Sequence, residues 1–265
     1  MDFGLEGKVA VVGGASKGLG RACALGLARE GARVVVCSRS VENLTLAARE
    51  IADETGAEVV PVPSDLSTLD GVQSLINQTV EQMGGLDIIV NNSGGPPAGT
   101  AEGADEEAWA QAIQMSLLFF ARMSREAVPL MRERGGGRII NVTNLGGRTP
   151  GPASMPTSIS RAAGIAITKG LSKDLAKENI LVTTVCIGLV KSGQHQRRYD
   201  ARLEKEPSLS LETFYDELAQ ARSVPIGRVA EPEEAGDVIA FLASERASYL
   251  TGIAVNLDGG ASAVL

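Results

Sequence analysis

Four glycines fall inside eight residues at the end of an apolar run, in KVAVVGGASKGLG at residues 8–20. Gly13, Gly14, Gly18 and Gly20 permit a tight turn and close backbone approach. Val9, Ala10, Val11 and Val12 before them suit a short buried parallel strand. The apolar pattern then resumes as a helix from about Leu19 to Arg29. Strand, glycine turn and helix N-terminus leave backbone N–H groups pointing outward, and a diphosphate is their usual occupant. The chemistry implied is dinucleotide binding. A plain strand-to-helix turn would use the same residue types, but here the flanking pattern fits on both sides.

Other reactive side chains are sparse. The one histidine, His195, and two of three tyrosines, Tyr199 and Tyr215, fall in a polar stretch at 192–224. Arg197, Arg198 and Arg202 form a basic cluster there, which would attract an anionic substrate or simply make a solvated helix face. Cys23, Cys37 and Cys186 are scattered in apolar contexts without metal spacing. They read as buried, reduced thiols, which points to the cytoplasm and to no metal site.

The elements that must position these residues alternate. Strands are expected at Val9–Val12, Arg33–Ser38, Ala57–Val62, Leu86–Asn91, Arg138–Thr143, Leu181–Cys186 and Ile253–Leu257. Helices are expected at Leu19–Arg29, Val41–Glu54, Ser67–Met83 with Ser67 as N-cap, Asp105–Arg134 with a possible break, Thr157–Asn179 and Glu231–Ala243. Regular alternation means right-handed crossovers and an α/β, doubly wound parallel sheet. Residues 1–265 read as a single dinucleotide-binding domain. The stretch 192–224 interrupts the alternation after the sixth strand, at the carboxyl end of the sheet where ligands bind. It reads as a substrate-covering lid of one or two short helices.

Composition sets outer limits. The chain has 265 residues, 44% hydrophobic and 22% charged, which suits a globular fold with a sizeable core. A formal net charge of −7 argues against a general nucleic-acid binder. No apolar run approaches the ~18 residues of a membrane span, and MDFGLEGKVA has neither a basic n-region nor an apolar core, so no signal peptide is expected.

These residues carry a family resemblance. GGASKGLG at 13–20 resembles the TGxxxGxG loop of the short-chain dehydrogenase/reductase family, with Gly13 in place of the threonine. Asn91-Asn92-Ser93-Gly94 resembles its NNAG element, Asp65-Leu66 its adenine-contacting acidic pair, and the terminal YLTGIAVNLDGG its last strand and turn. The match covers the whole chain in order, and the chain resembles 3-oxoacyl-carrier-protein-reductase-like members. The resemblance implies a Rossmann fold and a cofactor site built from Gly14, Ser16, Lys17, Gly18, Leu19, Gly20, Ser38, Arg39, Asp65, Leu66, Asn91, Ser93, Gly94, Arg161 and Gly188.

The second strand selects the cofactor. Family members that use NAD place an acidic residue at its end, where this chain has Ser38 followed by Arg39. A carboxylate would repel a 2′-phosphate, whereas a hydroxyl beside a guanidinium would bind one. Lys17 adds a second positive charge on the same side. The expected cofactor is NADP rather than NAD.

The catalytic positions depart from the family. Its chemistry uses a tyrosine and a lysine four residues apart on one helix, a serine after the fifth strand and an asparagine in the preceding long helix. In register, Thr157 takes the tyrosine's place, Arg161 the lysine's, Asn144 the serine's and Ser116 the asparagine's. Ile187 replaces the proline before Gly188. An aliphatic hydroxyl is a far weaker acid than tyrosine, whose pKa is ~10. Arg161 keeps its proton but can hold ribose hydroxyls or a phosphate, and Asn144 can donate to a carbonyl oxygen. His195 and Tyr199 are alternative proton donors.

Two readings follow. One is an NADP(H)-dependent oxidoreductase acting on a carbonyl/alcohol pair through an atypical site. The other is a catalytically silent NADP(H)-binding protein, a cofactor sensor or assembly partner. Either takes a small-molecule ligand and no membrane. The resemblance also implies a homodimer or homotetramer formed by the two long helices near 105–134 and 157–179. Leu117, Leu118, Phe119, Phe120, Ile165 and Ile167 give those helices more apolar surface than the sheet alone needs.

Overall fold

The computed structural model describes residues 2–95 and 98–264. Seven strands build one sheet: β1 (Val9–Gly13), β2 (Arg33–Ser38), β3 (Val59–Pro63), β4 (Ile88–Asn91), β5 (Gly137–Asn144), β6 (Ile180–Ile187) and β7 (Ile253–Leu257). Their order is β3-β2-β1-β4-β5-β6-β7, and every neighbouring pair is parallel. The winding direction reverses between β1 and β4. That switch point opens a crevice beyond the carboxyl ends of the strands.

The described helices are α1 (Gly18–Arg29), α2 (Val41–Thr55), α3 (Leu69–Met83), α4 (Glu106–Ile113), α5 (Phe119–Glu133), α6 (Thr157–Leu175), α7 (Gly193–Leu203), α8 (Leu211–Ala221) and α9 (Pro232–Ala243). Strand alternation divides the core between them. Ala10 and Val12 pack with Cys23, Leu27 and Ile239 on the α1/α9 side, while Val9 and Val11 pack with Leu75, Met123 and Met131 on the α3/α5 side. Each of the larger aliphatic and methionine side chains among them contributes ~1.5–3 kcal/mol on burial. α1 and α9 meet on glycine: a Cβ on Gly26 would stand 2.7 Å from the Gly236 carbonyl oxygen, so the two helices pack backbone to backbone.

Several boundaries move from their sequence positions. Thr68, not Ser67, caps α3, because Asp65 takes the Ser67 N–H at 3.0 Å and its hydroxyl at 2.8 Å, leaving Thr68 to accept from Gly71 N. β3 starts at Val59 rather than Ala57 and runs to Pro63, and β4 starts at Ile88 rather than Leu86. α6 ends at Leu175, where a single 3₁₀ turn and a left-handed Asn179 (φ 56°) lead into β6. The long stretch before β5 divides into α4 and α5 around a π-helical turn at Gln114–Leu118. The stretch after β6 folds as α7 and α8, capped by Ser192 and Ser210.

Candidate active site

A cavity of about 510 Å³ opens at the carboxyl ends of β1–β4. Its floor is the glycine turn. Gly14 and Gly18 have positive φ, and a Cβ on Gly20 would stand 2.3 Å from the Gly14 carbonyl oxygen. Only glycine allows that approach. The Asn92 amide donates to the Gly13 carbonyl at 3.0 Å and so ties the loop after β4 to the glycine turn.

Nine of the expected cofactor residues line this cavity: Gly14, Ser16, Lys17, Ser38, Arg39, Asp65, Leu66, Ser93 and Gly94. The Ser38 Oγ is buried there without a hydrogen-bond partner. Asp65 is held below the usual carboxylate range by hydrogen bonds from the Ser67 backbone and hydroxyl, with Arg39 adding a smaller effect. Behind the wall, burial pushes the Cys37 thiol up to about 12, so it stays protonated and inert.

The remaining positions lie outside the cavity lining. Gly18, Leu19 and Gly20 open α1. Asn91 is fully buried: its amide donates to Asn141 Oδ1 at 2.8 Å, and Asn141 in turn donates to Thr168 at 2.8 Å. This chain of amides and hydroxyls locks β4, β5 and α6 together beneath the crevice. Gly188 follows β6 and abuts Asp258, whose Cα would lie 2.7 Å from an added Cβ.

Ser116, Asn144, Thr157 and Arg161 gather on adjoining elements. Thr157 opens α6 and is buried. The Arg161 Nη2 lies 2.8 Å from where a Cβ on Gly95 would stand, and its Cβ lies 3.1 Å from the same point on Gly147. The side chain therefore bridges from the turn after β5 to the loop after β4. Burial pushes its pKa down, and Nε has no hydrogen-bond partner. Asn144 Oδ1 is likewise buried and unpartnered, and it shares the space over Gly146 with the Ser158 hydroxyl. Ser116 is buried inside the π turn, and its carbonyl faces Gly164 of α6.

Sequence reasoning missed several residues. Ser40, Asn43, Ser64, Gln111, Gln114 and Met115 also line the cavity. The π turn brings the last two into it, and no local motif announces a π turn. Ser158 escaped because it stands one position past the register of the expected tyrosine.

The tyrosines supply no acid at this site. The Tyr199 hydroxyl donates to the Leu209 carbonyl at 3.0 Å, and its ring packs on Phe214 of α8. It is therefore a packing residue between α7 and α8 rather than a spare proton donor. Tyr215 is buried beneath Lys191, and Tyr249 is fully exposed before β7. His195 stands in the first turn of α7 with its Nδ1 buried and unpartnered, and burial and then Arg198 lower its pKa. Arg202 does not join a free basic cluster: Glu206 and Glu217 both bind it. The assembled groups can hold anions and a carbonyl oxygen, while Asn144 and Arg161 release no proton near neutrality.

A glycine-floored cavity at the switch point of a seven-stranded parallel sheet defines a dinucleotide-binding α/β protein. Residues 14–262 match the family model described as enoyl-(acyl carrier protein) reductase. A 3-oxoacyl-[acyl-carrier-protein] reductase of Thermotoga maritima is 33% identical over 256 residues, covering 97% of this chain and 98% of the relative. Human dehydrogenase/reductase SDR family member 4 is 32% identical over 257 residues, covering 97% and 88%. Among solved structures, L-sorbose reductase from Gluconobacter frateurii, complexed with NADPH and L-sorbose, superposes with a TM-score of 0.95 at 34% identity over 100% of both chains. An NADPH-bound short chain oxidoreductase from Pseudomonas aeruginosa, described as containing an atypical catalytic center, gives 0.90 at 29% identity over 97% and 98%. The chain belongs to the short-chain dehydrogenase/reductase family of oxidoreductases.

Proposed function

We propose that the chain is an NADP(H)-dependent reductase of a carbonyl/alcohol pair, working through a divergent catalytic site. One observation carries the cofactor reading. The unpartnered Ser38 hydroxyl shares a cavity with Arg39 and Lys17, which have no ion pair among the described residues. A 2′-phosphate would satisfy the hydroxyl and both cations, whereas a bare ribose would leave the cations uncompensated. The glycine turn and the start of α1 would take the diphosphate, and Asp65 and Leu66 the adenine. Arg161 would hold the nicotinamide ribose. Bound NADPH supplies a hydride equivalent to the substrate carbon. The chain's own part is to orient the carbonyl oxygen with Asn144 and to exclude water. The lid at 192–224 would cover the substrate, and the proton would come from His195 or solvent.

The NADPH-bound neighbours support the cofactor, and the reductases among the relatives support ketones, sugar ketoses or 3-oxoacyl thioesters as substrates. We further propose a dimer or tetramer formed through α4–α5 and α6, in a cytoplasmic setting; the half-buried Leu117 and Leu118 between α4 and α5, and Ile165 and Ile167 of α6, support the assembly. Calorimetry with NADPH and NADH, followed by NADPH oxidation with those carbonyl classes, tests the reading. Preference for NADH would overturn the cofactor assignment.

A second reading rests on the replaced tyrosine position, Thr157: a protein that binds NADP(H) without turning it over. Tight NADPH binding with no oxidation across all three carbonyl classes would select it.

A further inference from the structure

The amino ends of the strands, opposite the cofactor cavity, enclose a second and smaller cavity of about 90 Å³. Lys8 before β1, Asp87 before β4, Arg134 and Arg138 flanking the turn at Gly135–Gly137, Asn179 and Glu245 border it. Its charges are unevenly matched. Arg134 is spent on Asp87 through two hydrogen bonds of 2.9 and 3.0 Å. Asp87 is itself buried and accepts from Val9 N at 2.8 Å, so that pair is closed.

Arg138 is not closed. The residue is 5% exposed, and Nη1 alone is engaged, with the Gly137 and Asn179 carbonyls at 3.0 and 3.3 Å. Nε and Nη2 are buried without hydrogen bonds. Those two nitrogens form the edge of a guanidinium that grips an oxyanion with two parallel N–H···O bonds. Among the described residues, the carboxylate paired with that edge is Glu245, 3.5 Å from Nη2, with a side chain 62% exposed. Lys8 has no ion pair among the described residues. A buried, half-satisfied cation is costly, and a loosely placed surface carboxylate offsets little of that cost.

We propose that this cavity is a binding site for a small tetrahedral oxyanion, with phosphate as the ligand class, held by the Nε/Nη2 edge of Arg138 and by Lys8. Glu245 is its competitor: the carboxylate lies across the edge and must swing outward when the anion enters. The site is separate from the cofactor cavity and independent of how the cofactor is read. Its occupation would fasten the N-terminal segment at Gly4 and Leu5 to the feet of β4 and β5, because all of them border the cavity.

The test uses the full chain saturated with NADPH, so that the phosphate positions near Arg39 and Lys17 are filled. Inorganic phosphate is titrated by calorimetry, with chloride at matched ionic strength as the reference, and the melting temperature is followed in parallel. Phosphate should bind and raise the melting temperature where chloride does not. Arg138 is buried, so its removal risks the fold, and the two flanking charges are changed instead. Lys8→Met should weaken phosphate about threefold or more, and Glu245→Gln should tighten it by a similar factor. Equal effects of phosphate and chloride on the wild type would overturn the proposal. So would phosphate binding that ignores both substitutions, or that weakens in Glu245→Gln.

Discussion

Arg161 and Gly95 share one volume: the Nη2 of the arginine lies 2.8 Å from the point a Cβ on the glycine would occupy. A longer cation in the family's lysine position therefore has room because the loop after β4 continues with a second glycine past Gly94. Gly95→Ala pushes on the far end of a flexible side chain rather than on backbone, so the fold should lose little, about 1 kcal/mol or less. The guanidinium, however, must move. The expected outcome is a melting temperature within about 4 °C of wild type, with NADPH binding weakened roughly tenfold. Unchanged NADPH affinity in calorimetry would remove Arg161 from the cofactor site.

Arg39→Asp tests the pocket at the end of β2. It replaces a cation beside the buried Ser38 hydroxyl with the carboxylate that a 2′-phosphate rejects. NADPH affinity should fall about 10–100-fold, while NADH affinity holds or rises. A variant that keeps its NADPH preference would place the 2′-phosphate elsewhere, with Lys17 the next residue to change.

The Tyr199 hydroxyl serves the packing of α7 against α8. Tyr199→Phe removes its bond to the Leu209 carbonyl and should cost about 1 kcal/mol or somewhat more, because that carbonyl is left unpaired. The pH dependence of turnover should stay as in wild type. His195→Gln is the contrasting variant. If the imidazole gives the proton, its substitution removes an ionisation from the rate profile that Tyr199→Phe leaves in place. Loss of that ionisation in Tyr199→Phe instead would contradict the assignment of Tyr199 to packing.

Much of this architecture was legible in the sequence. β-branched runs and cap residues mark strands and helices by local rules, and the glycine turn marks the floor of the cavity. The legible part ends where long-range geometry begins. Ser67 satisfies every local rule for a cap, yet Asp65 takes its N–H and hydroxyl. The π turn at 114–118 is stabilised across the fold, by the Ser93 hydroxyl donating to the Met115 carbonyl at 2.9 Å, and no periodicity in α4 or α5 encodes that partner. The arginines at 197, 198 and 202 look alike in sequence, but Arg202 alone of the three has carboxylates brought to it, one from the facing helix α8.

Glu234 governs part of the acid response. It bonds Arg228 and, as the third residue of α9, returns to the Glu231 N–H at 2.9 Å. Arg228 first, and that backbone donor second, hold its pKa near about 2 against a usual 4.5. A depressed carboxylate stabilises the fold above its unfolded value, and that stabilisation is lost as pH falls from 4.5 toward 2. Glu234→Gln should therefore lower the melting temperature at neutral pH and flatten its decline across that acid window. An acid limb as steep as that of wild type would show that the other depressed carboxylates, Glu178 and Glu206 beside arginines and Asp65 beside Ser67, carry the response.

Introducing a tyrosine and a lysine at Thr157 and Arg161 is the most direct probe of the proposed divergent site. Thr157 and Arg161 stand four residues apart at the start of α6, on one helix face. Thr157→Tyr with Arg161→Lys places a phenol above a cation that can lower its pKa, which neither residue supplies now. Thr157 is 8% exposed, so the larger ring must displace its neighbours. Asn144→Ser belongs in the same variant, because the group that polarises the carbonyl and the acid that protonates it act as a unit. A general acid is worth about 10²–10⁴ in rate, so steady-state NADPH oxidation with simple ketones should rise toward that range in the triple variant, provided calorimetry shows that it still binds NADPH. The opposite result is equally informative. If wild type already turns over at ordinary enzyme rates and Thr157→Ala leaves them unchanged, the proton does not pass through α6, and His195 in the first turn of α7 becomes the residue to test.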